Sequence, residues 1–303
     1  MDVVRLHGSP QITAELARLA LKEAPEGRLT TPTGATPVLS KDLCRILDAA
    51  QAVQTGVVVL LALDISDVDQ CKKAAFNLAG LLGEPVRVEA ADRSYWYSLG
   101  VDPMASPIAA NGTGPNVPHV DMMTFRAYPS AMAILCERPD PAGGGRTVLC
   151  NFERAVARLA PDEIAALQVP VYSYWRDEGL INVGQHLDHF AVLPTGEERR
   201  IRFTSKLPER IAKEPLPPEA PERAGAAVRA MVTALEAERM ELLLEPGDLV
   251  LFSQLHRCHG RTALKKGAEK IAPDLRRQLW RLYFNLALPM NDPNEVPGHR
   301  GPS

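Results

Sequence analysis

The sequence predicts a mainly β chain of the α+β class. Its core is a jelly roll of two packed sheets, a double-stranded β-helix, with helices flanking it. Three observations carry this. Short apolar and β-branched runs bounded by Gly, Pro and Asp turns recur at 57–63, 131–136 and 249–253. Helical periodicity is confined to separate stretches around them. A histidine and carboxylate near position 120 have their natural complement near position 259, and only a folded sheet brings those positions together.

Taken in order, residues 1–85 read as a helix–strand–helix support. Apolar Leu43, Ile46, Leu47 and Ala50 fall on one face of a helix over 39–53, with Ser40 as its cap. A strand follows at 57–63. Ser66-Asp67-Val68-Asp69 is a capping pattern for a helix running to about Leu82, with Gly83 as its stop. Residues 86–118, including Arg93, Tyr95, Trp96 and Tyr97, lead through a Gly/Pro/Asn-rich stretch to the mouth of a site. The core spans about 115–290. It includes paired strands at 123–128 and 131–136, a strand near Val148 and short helices at 152–159 and 161–167, the second with Pro161 in its first turn. Segment 172–210 is the least regular long stretch and reads as a lid. The proline-rich 208–221 reads as a surface connector. An amphipathic helix is expected over 224–240, then a turn at Glu245-Pro246-Gly247-Asp248 and a buried strand at 249–253.

A chain of 303 residues with 46% hydrophobic content can bury a large core as a single domain. A net charge of −3, with both signs mixed, argues against a nucleic-acid surface. No apolar run reaches membrane-spanning length, and the first residues lack a signal-peptide apolar segment. Five cysteines, Cys44, Cys71, Cys136, Cys150 and Cys258, are odd in number and show no metal-ligand spacing, which fits reduced thiols in a cytoplasm. The expected partner is a small molecule; the oligomeric state is left open.

The chemistry concentrates in His119 and Asp121, one residue apart in Pro118-His119-Val120-Asp121, and in His259 of Cys258-His259-Gly260-Arg261-Thr262. Residues two apart in a strand share a face, so His119 and Asp121 aim a nitrogen and an oxygen at one point. Two imidazoles and one carboxylate leave coordination positions open, which suits non-haem Fe(II) oxygen chemistry. A second copy, His186-Leu187-Asp188, lies in a stretch that reads as loop, and His256 rivals His259 as the distal ligand. In the segment from Arg277 to Phe284, positions 277, 279, 281 and 283 share a face. Arg277 and Arg281 therefore point together, and two inward guanidiniums need anions to meet them.

Five motifs in order carry a resemblance: Pro118-His119-Val120-Asp121; Gly143-Gly144-Gly145-Arg146-Thr147; Pro246-Gly247-Asp248-Leu249; His259-Gly260-Arg261-Thr262; and Arg276-Arg277-Gln278-Leu279-Trp280-Arg281. Over about residues 56–288 the chain resembles Fe(II)/2-oxoglutarate-dependent oxygenases of the taurine dioxygenase and clavaminate synthase branch. The resemblance implies His119, Asp121 and His259 as ligands of Fe(II). Arg277 then grips the distal carboxylate of 2-oxoglutarate, Thr147 assists, and Arg281 meets the substrate's anionic group, with O2 as the oxidant. The interval from His259 to Arg277 is longer than the family usually shows, and 265–275 reads as an enlarged loop. Related iron halogenases lack the carboxylate, so Asp121 favours hydroxylation of a C–H bond, with release of succinate and CO2. Desaturation or cyclisation by the same family stays open, as does a cupin-like metalloenzyme that does not use 2-oxoglutarate. The expected substrate is a small carboxylate-bearing molecule, a free amino acid or derivative, with Arg176 and Asp188 of the lid among its contacts.

Overall fold

The computed structural model describes residues 3–19, 22–23, 29–30, 39–89, 94–175, 178–195 and 200–287. Arg93, Arg176 and Asp177 lie outside the described residues, so the expectations placed on them have no structural counterpart. The elements in chain order begin with β1 (Val3–His7), α1 (Pro10–Arg18), β2 (Lys22–Glu23), β3 (Leu29–Thr30), α2 (Lys41–Ala50), β4 (Val58–Ala62) and α3 (Val68–Leu82). Then come β5 (Gly83–Val86), β6 (Trp96–Ser98), β7 (Asn116–His119), β8 (Ala131–Arg138), β9 (Thr147–Asn151), α4 (Phe152–Val156) and α5 (Pro161–Leu167). The chain closes with α6 (Leu207–Lys213), α7 (Ala224–Ala237), β10 (Arg239–Leu242), β11 (Asp248–Ser253), β12 (Arg257–Arg261) and β13 (Gln278–Leu286).

The larger sheet runs β1-β4-β11-β8-β13-β5, with β6 also on β13; the smaller runs β10-β9-β12-β7. Alternation along the central strands gives each face of the larger sheet its own core. Ala131, Ala133 and Leu135 of β8 pack with Leu249 and Leu251 of β11 against the N-terminal helices. Their neighbours Met132, Ile134, Cys136, Val250 and Phe252 turn inward toward the smaller sheet and contribute to the second core. The strands are apolar on both faces because both faces are covered, which is why 131–136 and 249–253 read as continuous apolar runs. Strands predominate and helices flank them, in keeping with the predicted jelly roll.

Local signals explain the helix starts. The Ser40 hydroxyl accepts from the Leu43 N–H at 3.2 Å, and the Asp67 carboxylate accepts from Asp69 and Gln70 at 2.9 and 3.2 Å. Gly83 does follow α3, but not as a left-handed stop: its φ of 174° is extended. It is needed for close approach, since a Cβ there would lie 1.9 Å from the Asn285 carbonyl oxygen on β13.

Four expectations change. Residues 3–18 form β1 and α1 ahead of the expected support, with β1 pairing parallel to β4. Residues 123–128 form turns rather than a strand: Met122 has φ +57°, and Phe125 N–H bonds back to the Met122 carbonyl at 2.9 Å. The proline-rich connector is helical at its start, because Pro208 sits in the first turn of α6, where a missing N–H costs nothing. Helix α7 ends at Ala237, and Met240 belongs to β10, paired with Leu149 of β9.

Candidate active site

Strands β7 and β12 are antiparallel neighbours, and His119 stands directly opposite His259 in their register. Their rings lie 4.4 Å apart between centroids. Between this pair and the next, Arg261 with Asn116, β7 spends two residues, Val117 and Pro118, against the single Gly260. Proline fits this bulge because the ladder is interrupted there. Gly260 is required by the approach: a Cβ would lie 2.5 Å from the Asn116 carbonyl oxygen.

Asp121 follows the end of β7, and the left-handed Met122 beside it turns the chain sharply away. One ligand atom from each of His119, Asp121 and His259 lies within 4.8 Å of the others, the sole such cluster of three or more among the described residues. His119 donates Nδ1–H to the Val117 carbonyl at 2.8 Å, which leaves Nε2 facing Asp121 Oδ1 at 3.1 Å. His259 Nε2 lies 3.4 Å from Asp121 Oδ2. The same oxygen accepts from Arg281 at 2.8 Å and from the Tyr283 hydroxyl at 2.7 Å. Burial pushes the Asp121 carboxyl up, but Arg281 and the two histidines overcome it and hold it well below the usual carboxylate range. Burial pulls the His259 imidazole down, toward the neutral form a metal requires. The buried side chain of Gln254 accepts from Asp121 N–H at 3.0 Å and donates to the Pro129 carbonyl at 2.8 Å, tying the site to the larger sheet.

Inward from the triad is a narrow cavity of about 40 Å³ lined by Thr147, Arg261, Arg277, Leu279 and Arg281. Arg277 precedes β13, where Gln278 and Leu279 meet a register irregularity against β8. Its guanidinium donates to the Leu99 carbonyl at 3.0 Å and has no acidic partner among the described residues. Burial, then the nearby Arg261 charge, push it down to about 10. Left-handed Gly145, φ +62°, makes room for it, since a Cβ there would lie 3.1 Å from Arg277 Cδ. Arg261 is occupied structurally, donating to the carbonyls of Ala110, Gly112 and Gly114.

Outward lies a second pocket of about 240 Å³, whose walls include His119, Asp121, Thr124, Tyr174, Trp175 and Lys206. Segment 172–210 supplies Tyr174, Trp175, Thr204 and Lys206 to it, so the expected lid stretch is its outer wall. Asp188 does not line it: its side chain is 93% exposed and 3.4 Å from His186. The decoy pair His186 and Asp188 therefore stands apart from the triad. His256 points to Glu153 at 2.9 Å instead of toward His119. Arg281 lines the inner cavity rather than the outer pocket.

Sequence reasoning passed over four contributors. Tyr283 was on the inward face with Arg281, so parity alone nominates it. Gln254 and Lys206 carry no motif. Arg202 is 1% exposed and donates to the carbonyls of Met123 and Phe125 at 2.7 and 2.6 Å, fixing the turns after Asp121.

A jelly roll that holds two histidines and a carboxylate beside a buried arginine with no acidic partner among the described residues defines a non-haem iron, 2-oxoglutarate-dependent dioxygenase. Residues 35–283 match the model of the family described as taurine catabolism dioxygenase TauD, TfdA family, and the chain belongs to that family. Among solved structures it is similar to an asparagine oxygenase in complex with Fe(II), 2S,3S-3-hydroxyasparagine and succinate, at 18% identity and TM-score 0.71, covering 93% of each chain. It is also similar to the non-haem iron oxygenase OrfP in complex with Fe, succinate and (3R,4R)-dihydroxy-L-Arg, at 14% identity and TM-score 0.66, covering 93% of this chain and 94% of that one. No curated protein matches the chain.

Proposed function

We propose that the chain acts as one oxygenase domain that hydroxylates a C–H bond of a small carboxylate-bearing substrate, a free amino acid or derivative. His119, Asp121 and His259 are its Fe(II) ligands, and Arg277 with Thr147 holds 2-oxoglutarate. The observation that carries this is the junction of the two features. A donor set of two imidazoles and a carboxylate borders, through His259, a cavity holding an arginine with no ion-pair partner among the described residues. The donor set fits iron because its atoms converge and His119 Nδ1 is already satisfied by a carbonyl. The cavity fits a carboxylate because a buried guanidinium without an anion is destabilising, and a bidentate carboxylate removes that cost.

When bound, Fe(II) and 2-oxoglutarate together supply the oxidising power, consuming O2 and releasing succinate and CO2. The residues of this chain do the positioning. Arg281 and Tyr283 fix the Asp121 carboxylate, so one of its oxygens is oriented before any metal arrives. Arg277 and Thr147, at the ends of β13 and β9, orient the cosubstrate from the closed side, and burial of that cavity excludes water. The outer pocket presents substrate to His119 and Asp121, which line it. The solved relatives that bind hydroxylated asparagine and arginine support a free amino acid as the substrate class. None of the five cysteines is disulfide-bonded, which supports a cytoplasmic setting. No helix among the described residues is long and apolar enough to cross a membrane.

The test is anaerobic titration of the protein with Fe(II) and 2-oxoglutarate, followed by visible absorption. A charge-transfer band from a chelated keto acid, absent when His119 is replaced by Ala, is the expected result. A folded, iron-loaded protein without that band overturns the cosubstrate assignment.

A further inference from the structure

Arg281 stands beside Asp121 with most of its hydrogen-bonding capacity unused. A terminal nitrogen donates to Asp121 Oδ2 at 2.8 Å, its Nε–H has no partner, and Asp121 is the one acceptor it has among the described residues. It lines the inner cavity, with its guanidinium against the rings of Tyr97 and Tyr283, 5.7 and 4.9 Å from their centroids. A guanidinium with donors to spare can receive a second anion, such as the carboxylate of the substrate proposed above. Turning toward that anion would take from Asp121 its charged partner. The carboxylate would then be free to swing at the moment the reaction needs it fixed.

Tyr283 is placed to hold what Arg281 lets go. Its hydroxyl donates to the same Oδ2 at 2.7 Å. It is 2% exposed and lies within β13, paired with Met132 of β8 on one side and Val86 of β5 on the other. The ring meets Tyr97 edge to face, 5.5 Å between centroids, within the packed core. Arg281 therefore reaches the carboxylate on a long chain that can change partners, and Tyr283 reaches it with a ring that cannot. Gln254 secures the Asp121 backbone N–H, not its carboxylate. Together Arg281 and Tyr283 fill the lone pairs of Oδ2, which leaves Oδ1, 3.1 Å from His119 Nε2, as the oxygen for a metal.

We propose that Tyr283 is a positioning residue that keeps Asp121 on the metal through Oδ1 alone, so that Arg281 can pass from Asp121 to the substrate's anion without loosening the metal. The two side chains cover for each other at one oxygen. This deepens the hydroxylase reading and rests on it.

The experiment introduces Tyr283→Phe into the wild type and into the Arg281→Met and Arg281→Lys backgrounds. Each protein is titrated anaerobically with Fe(II), then with 2-oxoglutarate followed by visible absorption. With Arg281 in place, loss of the hydroxyl should weaken Fe(II) binding no more than about threefold. Arg281→Met alone should also stay within about threefold of wild type, because Tyr283 remains. Tyr283→Phe in the Arg281→Met background should weaken Fe(II) binding about 10- to 100-fold and diminish the charge-transfer band, because nothing then holds Oδ2. In the Arg281→Lys background the loss should be intermediate, since an ammonium meets Oδ2 without the fork of a guanidinium. That pair keeps a cation beside Asp121 and serves if the Arg281→Met combination does not fold. An equal effect of Tyr283→Phe in every background overturns the inference, as does loss of Fe(II) from Arg281→Met alone. Melting temperatures of the metal-free proteins identify a merely structural role: Tyr283→Phe would lower them throughout with no background-dependent change in Fe(II) affinity, which also overturns it. A wild type that binds no Fe(II) overturns the hydroxylase reading itself, so the two failures are distinct.

Discussion

The inner cavity is lined by His259 and the outer pocket by His119 and Asp121, and the two are built differently. The inner one is made at strand ends: Thr147 opens β9, Arg261 closes β12, and Arg277 stands immediately before β13. Its volume is about 40 Å³ against about 240 Å³ for the outer pocket, whose far wall is made by Tyr174, Trp175, Thr204 and Lys206, outside any strand. An invariant reagent such as a keto acid calls for a fixed socket, and ladder hydrogen bonds supply one. A variable substrate is met by segments whose conformation the sheet does not dictate. Changes to the inner region should therefore disable the reaction, whereas changes to the outer wall should redirect or merely weaken it.

The largest effect expected from breaking this contrast is at the candidate metal ligands. Replacing His259 with Ala should lower turnover on the order of a thousandfold and remove stoichiometric Fe(II) binding, read by anaerobic titration. Retention of tight iron would place the metal elsewhere. Arg277→Met is next, with a rise of about a hundredfold in the 2-oxoglutarate KM. The same variant sharpens the comparison, because the ligand-free protein should become more stable, by about 1 kcal/mol, once an uncompensated buried charge is gone. A less stable ligand-free variant would mean that the Leu99 contact satisfies Arg277 after all.

Gly260→Ala tests the backbone beneath the histidines. With a Cβ placed 2.5 Å from the Asn116 oxygen, it should cost about 2–4 kcal/mol in denaturant unfolding and weaken iron binding by separating β7 from β12. Asp188→Ala should do least. Its side chain is exposed and outside the pocket, so stability should stay within about 0.5 kcal/mol and the substrate KM should be unmoved. A large KM change there would mean that 185–189 folds over the pocket during turnover.

The same division governs how much could be read from the sequence. The meeting of His119 with His259 was legible because a sheet pairs distant strands, and the spacing brought Asp121 and Arg277 to the same place although Asp121 lies just past the end of β7 and Arg277 just before β13. The starts of α2 and α3 were legible because Ser40 and Asp67 cap through their own side chains. Residues 123–128 were not, although they have strand-like composition. Their turns are imposed from 77 to 79 positions away by the Arg202 guanidinium on the Met123 and Phe125 carbonyls. Lys206 and Asp188 show the limit plainly. Both are charged residues of one irregular segment, and nothing local distinguishes the one in the pocket from the one in solvent. Helix α6 was hidden by reading 208–221 as a proline-rich connector, whereas Pro208 occupies the one turn where proline is welcome.

Strand β7 is the last strand of the smaller sheet, and a terminal strand with free N–H and C=O groups invites another copy of the chain to pair with it. Here that invitation is withdrawn twice. The bulge at Pro118 breaks the regular spacing a docking strand would need, and residues 203–205 already occupy the hydrogen-bonding groups on that side. The wall segment thus guards the molecule against edge-to-edge aggregation as well as shaping a pocket. Engineering of 200–206 for new substrates should be followed by light scattering as closely as by activity, since loosening it uncovers the strand that carries His119.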